Sequence, residues 1–534
     1  MEKRLFLAMG LSFLVLYIWS AFVVPPSHRK NQLNYPQIVE NKQDIEYQDQ
    51  NTVPSLPPPQ DIKTSKETMN TVQTDKFILK FSNIGGTLKD INLKEYNAEL
   101  PVTDFGVIEG FETVDFYLQQ LDSEKVVYVY ENKEIKISRT YTFKNDDYIV
   151  QSETQITNNK NLAQDYKFVL NNFSLNMSIL KLDLKYNTQQ DRSLYEYVIN
   201  SDQEPFRKNN AYKFSEKDNQ EKNVKIDWAG FRNRYFCVLV KPQYESSGYA
   251  VSKVDDEHLK IQNKIKEIKL AAGETVKFDS MIFAGPEKLD LLQKYNLGFE
   301  KIRRYYRFSL FDAMGKIVYS LMHWAHKMIP NWGVCIILIS LLICFCTYPL
   351  TIQSMTSMKK LQALQPKMLA LKEKHKDNPQ KMNKEIMELY RENKVNPMGG
   401  CLPMLLQMPV FIGLYQALLR DVDFKGANFL WIKDLSEPDR LITFKSQLPL
   451  IGNELNLLPI IMTIVMFIQQ KMTSKSMVIA DSNQAAQQKM MTIIMPIFLG
   501  AIFYKLASGL TIYFTTFYIL SIFTQMKMSK VTVK

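Results

Sequence analysis

Cysteine is scarce in this chain, five in 534 residues, and its placement excludes a disulfide framework. Cys335, Cys344 and Cys346 share one apolar stretch and Cys401 opens another, which leaves Cys237 as the lone thiol of the polar portion. A single unpaired thiol fits an export compartment, where stray thiols are kept few. Cys344 and Cys346 have no histidine or carboxylate beside them, so they do not make a metal site. Histidine is as rare, five in all. His258 stands alone in the strand-rich part of the polar portion, and the acidic residues there are scattered as solvated strands scatter them, so no catalytic constellation forms. His323 and His326 are spaced i, i+3 but show no third ligand nearby in sequence, and read as surface histidines. Also missing between Pro25 and about Tyr306 is any uncharged apolar run approaching the roughly 18 residues of a spanning helix. That portion is expected to be water-soluble.

What the chain does have is concentrated after Trp332. Uncharged intervals run over 331–358, 395–419, 455–470, 490–504 and 506–526. Near the N-terminus, Lys3 and Arg4 precede the uncharged stretch Leu5 to Val24, long enough at 1.5 Å per residue for a hydrocarbon core of about 30 Å. With no small-x-small site before Pro25 and Pro26, it is expected to be an uncleaved anchor, making six spans. The net charge of +11 is concentrated beside the spans, where anionic lipid and the positive-inside bias explain it better than nucleic acid does.

The polar portion divides in two. Residues 25–74 are rich in Asn, Gln, Asp, Ser and Pro without periodicity and read as a tether. Strand patterns then dominate 75–300: Phe77 to Phe81 before the turn Asn83-Ile84-Gly85-Gly86, Ile135 to Phe143, and Tyr148 to Ile156, the marks of a β-sandwich. Over 301–330 the period becomes helical. Leu310, Phe311, Met314, Ile317, Val318, Leu321, Met322, Ala325, Met328 and Ile329 share a face with Trp324, as in a helix lying along a membrane surface.

The spans are expected at 331–352, 396–419, 455–472, 490–505 and 506–527. The insert 353–395 carries Lys359, Lys360, Lys367, Lys372, Lys374, Lys376, Lys381, Lys384, Arg391 and Lys394 against Glu373, Asp377, Glu385, Glu388 and Glu392, which places it in the cytoplasm. It reads as two helices, Thr356 to His375 and Pro379 to Arg391, broken at Asp377-Asn378-Pro379 and pairing through Leu361, Leu364, Met368 and Leu371 against Met382, Ile386, Leu389 and Tyr390. The loop 420–454 is balanced in charge and is expected outside, and the loop 473–489 and tail 528–534 inside. The fourth and fifth spans are short, about 24 Å of helix, so either the bilayer thins around them or Lys471, Lys489 and Lys505 snorkel to make up the length. Ser340, Thr347, Gln407, Gln469, Gln470, Thr511, Thr515 and Thr516 lie within spans, either as helix-to-helix glue or as the lining of a wet groove.

These motifs carry a resemblance. Asn331-Trp332-Gly333, Tyr348-Pro349-Leu350-Thr351, Leu364-Gln365-Pro366-Lys367, the run Val395 to Pro403, Gln407-Met408-Pro409, Phe467 to Met472, Gln487 to Met490 and Ser508-Gly509-Leu510 resemble, in order, the YidC family of membrane insertases in its Gram-negative form. The resemblance implies a membrane α-helical protein of six transmembrane helices, an N-terminal anchor plus a five-helix insertase core, with a periplasmic all-β supersandwich domain. It implies a non-enzymatic insertase and chaperone of the inner membrane, with both termini cytoplasmic and no cofactor or metal. The implied partners are nascent inner-membrane proteins, the Sec translocon with SecD/SecF and SecY, ribosome–nascent chain complexes and anionic lipids, with no nucleic acid recognised directly. A hydrophilic groove would be lined by Ser340, Cys344, Gln407, Gln469, Thr511, Tyr513, Phe514 and Thr515, with Ser340, Tyr513 and Phe514 at substrate-contact positions. The basic hairpin would receive incoming chains. One position departs from the pattern: where the family places a groove arginine, four residues before the tyrosine of Tyr348-Pro349-Leu350, this chain has Cys344.

Two rivals are weaker. A transporter or channel with a periplasmic sensor domain would show an internal repeat or a deep ionisable relay, and neither is visible. An enzyme in the β domain would need clustered His, Asp or Glu. If a neutral groove residue suffices here, Cys344→Arg should still complement depletion of the protein; loss of complementation would mean that the groove is built around a neutral side chain.

Overall fold

The structure is a computed structural model, and it describes residues 66–159, 168–170, 174–181, 194–202, 207–265, 268–303, 309–375, 378–393, 395, 402–448, 452–475 and 482–529. The expected anchor at 1–24, the tether to residue 65, the motif residues 396–401 and the tail from 530 lie outside these.

Period-two alternation builds the β domain. In the strand Ile135–Phe143, positions 135, 137, 139, 141 and 143 are buried and the positions between them are not. This strand lies in a nine-stranded sheet ordered Arg207–Asn210, Glu196–Ser201, Ile226–Arg232, Phe236–Pro242, Thr275–Pro286, Ile149–Asn158, Ile135–Phe143, Lys125–Glu131, Tyr117–Leu121. A five-stranded and a four-stranded sheet share one apolar core with it, through residues such as Phe81, Tyr141, Trp228, Val251 and Phe283. Alternation alone places a charge in that core. Arg139, 1% exposed, is held because its guanidinium donates to the carbonyl oxygens of Gly85 (2.7 Å) and Phe105 (2.5 Å) and to the Tyr141 hydroxyl (2.6 Å). The Gly85-Gly86 turn that presents the first carbonyl has φ of 67° and 56°, a left-handed path that glycine follows without strain.

The β domain begins earlier than the sequence pattern indicates. Met69–Gln73, expected to be tether, is a strand antiparallel to Phe77–Ser82, with Val72 buried opposite Leu79. Its single apolar anchor among polar neighbours gives too short a pattern to stand out.

After the short helix α1 (Leu289–Lys294) come α2 (Ser309–Met328), α3 (Trp332–Ala363), α4 (Gln365–Lys374), α5 (Pro379–Glu392), α6 (Leu402–Arg420), α7 (Leu457–Lys475), α8 (Ser482–Phe503) and α9 (Ser508–Ser529). The break expected between the second span and the hairpin is absent. α3 runs 32 residues through Pro349, and the chain turns only at Leu364–Gln365, where Pro366 sits in the first turn of α4. Among the described residues, only Trp332–Leu361 is by itself long and apolar enough to cross a membrane; Leu457–Thr473 and Thr492–Phe503 are shorter apolar stretches. α8 itself is 22 residues, so its apolar part is short while the helix is not.

The expected apolar face of α2 is divided. Val318, Met322 and Ala325 are buried, whereas Ile317, Trp324 and Met328 are exposed, as a helix packed on a protein at one side and facing lipid on the other would have them. α2 crosses α6 where Gly315 meets Gly413: a Cβ on Gly413 would lie 2.8 Å from the Gly315 nitrogen, so the crossing depends on glycine at 413.

Buried arginines fasten the β domain to the helices. Arg234 donates to the Leu419 carbonyl (3.0 Å) and the Ser436 carbonyl (2.5 Å) and pairs with Glu437 (2.6 Å). Beside it, Glu196 accepts from Arg232 (2.6 Å) and from Arg420 (3.3 Å) of the α6 terminus. Removing Arg234 strands carbonyl acceptors, each worth about 1–3 kcal/mol when left unpaired. Arg234→Ala should therefore speed hydrogen–deuterium exchange over 415–440 while leaving the strand Ile135–Phe143 as protected as before; unchanged exchange at 415–440 would show that the fastening lies elsewhere.

Candidate functional site

Full burial within the helices is concentrated at the end nearest the β domain. On α3, Trp332, Cys335, Ile336, Ile339 and Ser340 are buried, and no residue from Leu341 to Gln353 is. α9 repeats this: Ser508 to Tyr513 and Thr515 are buried, and none from Thr516 to Lys527. α7 buries Leu458, Met462 and Met466 and then nothing from Phe467 to Thr473. α6, running the other way, leaves Gln407 to Pro409 partly exposed and is mostly buried from Val410 onward. For about 20 Å of helix, then, the end carrying the hairpin of α4 and α5 is open.

The closed end is sealed by side chains and by a loop. Ile336, Leu414, Leu418, Phe424, Leu435 and Leu510 share one apolar cluster, with Trp332 edge-on to Phe424 at 4.6 Å. The first backbone groups of α9, which have no partner within the helix, are taken up by that loop: Ser508 N–H donates to Glu437 O (2.8 Å) and Gly509 N–H to Leu435 O (2.9 Å). Asp439 does the same for α7. Its Oδ2 accepts from the N–H groups of Leu457 and Leu458 (2.9 Å each) and from Trp431 Nε1 (3.1 Å).

The expected groove residues separate into two groups. Ser340 and Thr511 are fully buried in the seal and Thr515 nearly so, and their hydroxyls donate to carbonyls one turn back: Ile336 (2.7 Å), Ala507 (3.4 Å) and Thr511 (2.7 Å). They line no open space. Tyr513 is buried too, but its hydroxyl accepts from the Gln407 amide and so ties α9 to α6 at the floor of the opening. Phe514 is partly exposed against Phe411 and Phe503, with ring centroids 5.2 and 4.9 Å away. Cys344 is partly exposed, near enough to Tyr513 to act on it electrostatically.

Gln469 belongs to a polar string that the sequence did not reveal as one. Its amide donates to the Thr473 hydroxyl (3.3 Å), which also accepts from Gln525 of α9 (3.0 Å). Thr473 and Gln525 stand within a turn or so of flanking lysines, which made them look like span ends; their shared register on α7 and α9 is a tertiary fact. At the same end, Tyr390 of α5 donates to Met368 Sδ (3.2 Å) and His375 meets Glu385 (3.0 Å), so α4 and α5 lie against each other, and Lys360, Lys367, Lys374, Lys381 and Lys384 are exposed while Lys359 and Lys372 are partly so.

The groove residues are amides, hydroxyls, a thiol and aromatic rings, a set that makes hydrogen bonds and contacts but supplies no paired acid, base and nucleophile.

Comparison with known proteins places similarity along the whole chain. The family described as 60Kd inner membrane protein matches residues 324–534, and that described as YidC periplasmic domain matches residues 109–313. The membrane protein insertase YidC of Geotalea daltonii is 30% identical, with 99% of each chain covered, and that of Pelobacter propionicus is 29% identical with the same coverage. A crystal structure of an active YidC insertase with its first transmembrane segment is 21% identical, covering 88% of this chain and 96% of its own, with a TM-score of 0.37. Two family descriptions in chain order, and relatives aligned from end to end, leave one assignment: the chain belongs to the YidC family of membrane protein insertases.

Proposed function

We propose that this protein inserts nascent membrane proteins into the inner membrane by taking the polar part of a substrate into the opening at the hairpin end while the apolar part moves sideways into lipid. It is a non-enzymatic insertase of the inner membrane with a periplasmic domain. The observation that supports this mechanism is the end of full burial on α3, α7 and α9 after Ser340, Met466 and Thr515.

The physical gain is in hydration. A peptide group carried bare into hydrocarbon costs several kcal/mol, which an opening with water, amides and hydroxyls avoids. Gln407, Gln469, Thr473 and Gln525 supply such groups, and Phe514 gives a passing segment an aromatic surface. Leu457–Thr473 and Thr492–Phe503, about 26 and 18 Å of apolar helix, favour a thinned bilayer at the exit, which shortens the remaining path. With Cys344 where the family pattern has arginine, hydration and thinning rather than a fixed positive charge carry the step.

In this reading the chain crosses the membrane six times with both termini in the cytoplasm, and the sheets form a supersandwich outside. The basic hairpin faces the cytoplasm, where it meets anionic headgroups and ribosome-bound chains, and the protein works alone or beside the Sec translocon. Ser340 acts through the seal rather than by touching substrate.

Depletion of the protein should leave a short, Sec-independent inner-membrane substrate uninserted. Photocrosslinkers placed at Gln407 and Phe514 should form adducts with a ribosome-bound nascent chain, and one at Leu435, inside the seal, should not. Normal insertion on depletion, or adducts confined to Leu435, would sink the mechanism.

A further inference from the structure

His323, Asp421 and Asp423 are separated by about a hundred residues in sequence and meet where α2 crosses the end of α6. Each has one side-chain atom fixed by a bond directed away from the others. His323 Nδ1 lies 3.0 Å from the Tyr319 carbonyl oxygen, which can only accept, so Nδ1 carries the proton. Asp421 Oδ1 accepts from the Asp423 N–H (3.1 Å), and Asp423 Oδ1 accepts from Lys288 (2.6 Å). The atoms left over converge: His323 Nε2 is 3.2 Å from Asp423 Oδ2 and 3.4 Å from Asp421 Oδ2, and all three lie within 4.8 Å of one another. The Asp421 side chain is 1% exposed, and its Oδ2 accepts no hydrogen bond.

We propose that these three atoms are a divalent-cation site of the zinc type, which clasps the interfacial helix α2 to the segment that follows α6.

The spacing bears on the two ways such a cluster can be satisfied, a hydrogen bond, within reach at 3.2 Å, or a shared cation. A charge-assisted N–H to carboxylate bond closes to about 2.7–2.9 Å. Both separations here are longer, and both match the edge of a tetrahedron about a metal with bonds near 2.0–2.1 Å, about 3.3 Å. The outward bonds of the three residues are the kind that orient metal ligands: an imidazole N–H on a carbonyl oxygen, and carboxylates held by a second donor. A water or a substrate atom would complete the coordination.

Electrostatics bears on the affinity. The Asp421 carboxyl is buried, so its charge gains from a neighbouring cation. Lys288 pairs with Asp423, so a dication would bind against a cation already present and less tightly than at two free carboxylates. Trp332 and Phe424 close the site with rings, Trp332 lying 5.1 Å from His323. His326, stacked on Trp332 at 3.9 Å, is not one of the ligands.

The test uses the full-length protein in detergent, stripped with chelator and then dialysed against Zn²⁺ alone. One ion should bind per chain, with His323→Gln and Asp421→Asn each weakening binding at least tenfold and His326→Gln binding as the unaltered protein does. Co²⁺ in place of Zn²⁺ should give the intense visible bands of a four-coordinate site, abolished in His323→Gln. Circular dichroism identifies a variant that has not folded, and Asp423→Asn then replaces it. Absence of stoichiometric Zn²⁺, or binding undiminished in the folded ligand variants, overturns the proposal and leaves an imidazolium between two carboxylates. Insertion activity is not the readout, so this result and the failure of the insertion mechanism are separable.

Discussion

Closure of the helices at one end is the constraint on which the rest of the molecule depends. Ile336, Leu414, Leu418, Leu435 and Leu510 meet there with Trp332 and Phe424, and the backbone groups that begin α7 and α9 find partners in Asp439, Leu435 and Glu437. In lipid no water is available to do this, so a helix end without such partners would not hold its place. The seal holds α3, α6, α7 and α9 by one end, and at the other end α7 and α9 are joined through Gln525 and Thr473. The opening lies where full burial stops, and its polar residues need not be many.

The β domain sits on the same end and is fastened to the same elements. Arg234 reaches the carbonyls of Leu419 and Ser436, and Arg420 reaches back to Glu196. These arginines are buried, so their charges are tolerated only with partners in place. A domain held by several such bonds is positioned rather than merely tethered.

Periodicity carried most of what was legible in the sequence. Alternation over 135–143 gives the core face of that strand, Arg139 included, but not the carbonyls of Gly85 and Phe105 that make an internal arginine acceptable, since those come from distant turns. Met69–Gln73 escaped because one buried valine makes no pattern. A serine or threonine in a span reads the same whether it bonds to its own helix or faces water, and only the packing assigns Ser340, Thr511 and Thr515 to the former. His323 showed no third ligand because its neighbours Asp421 and Asp423 belong to another span's end, and no spacing rule reaches that far.

The continuity of α3 has a mechanical meaning. Its 32 residues, about 48 Å of helix, run from the sealed cluster to the root of the basic hairpin without a loop between them. Such a rod is a lever with its fulcrum at Ser340, so a force applied at the hairpin would turn the helix rather than stretch a linker. Pro349, with no N–H to give its helix, is the compliant point of that lever, and it lies about two and a half turns past the fulcrum, where the helix is no longer buried.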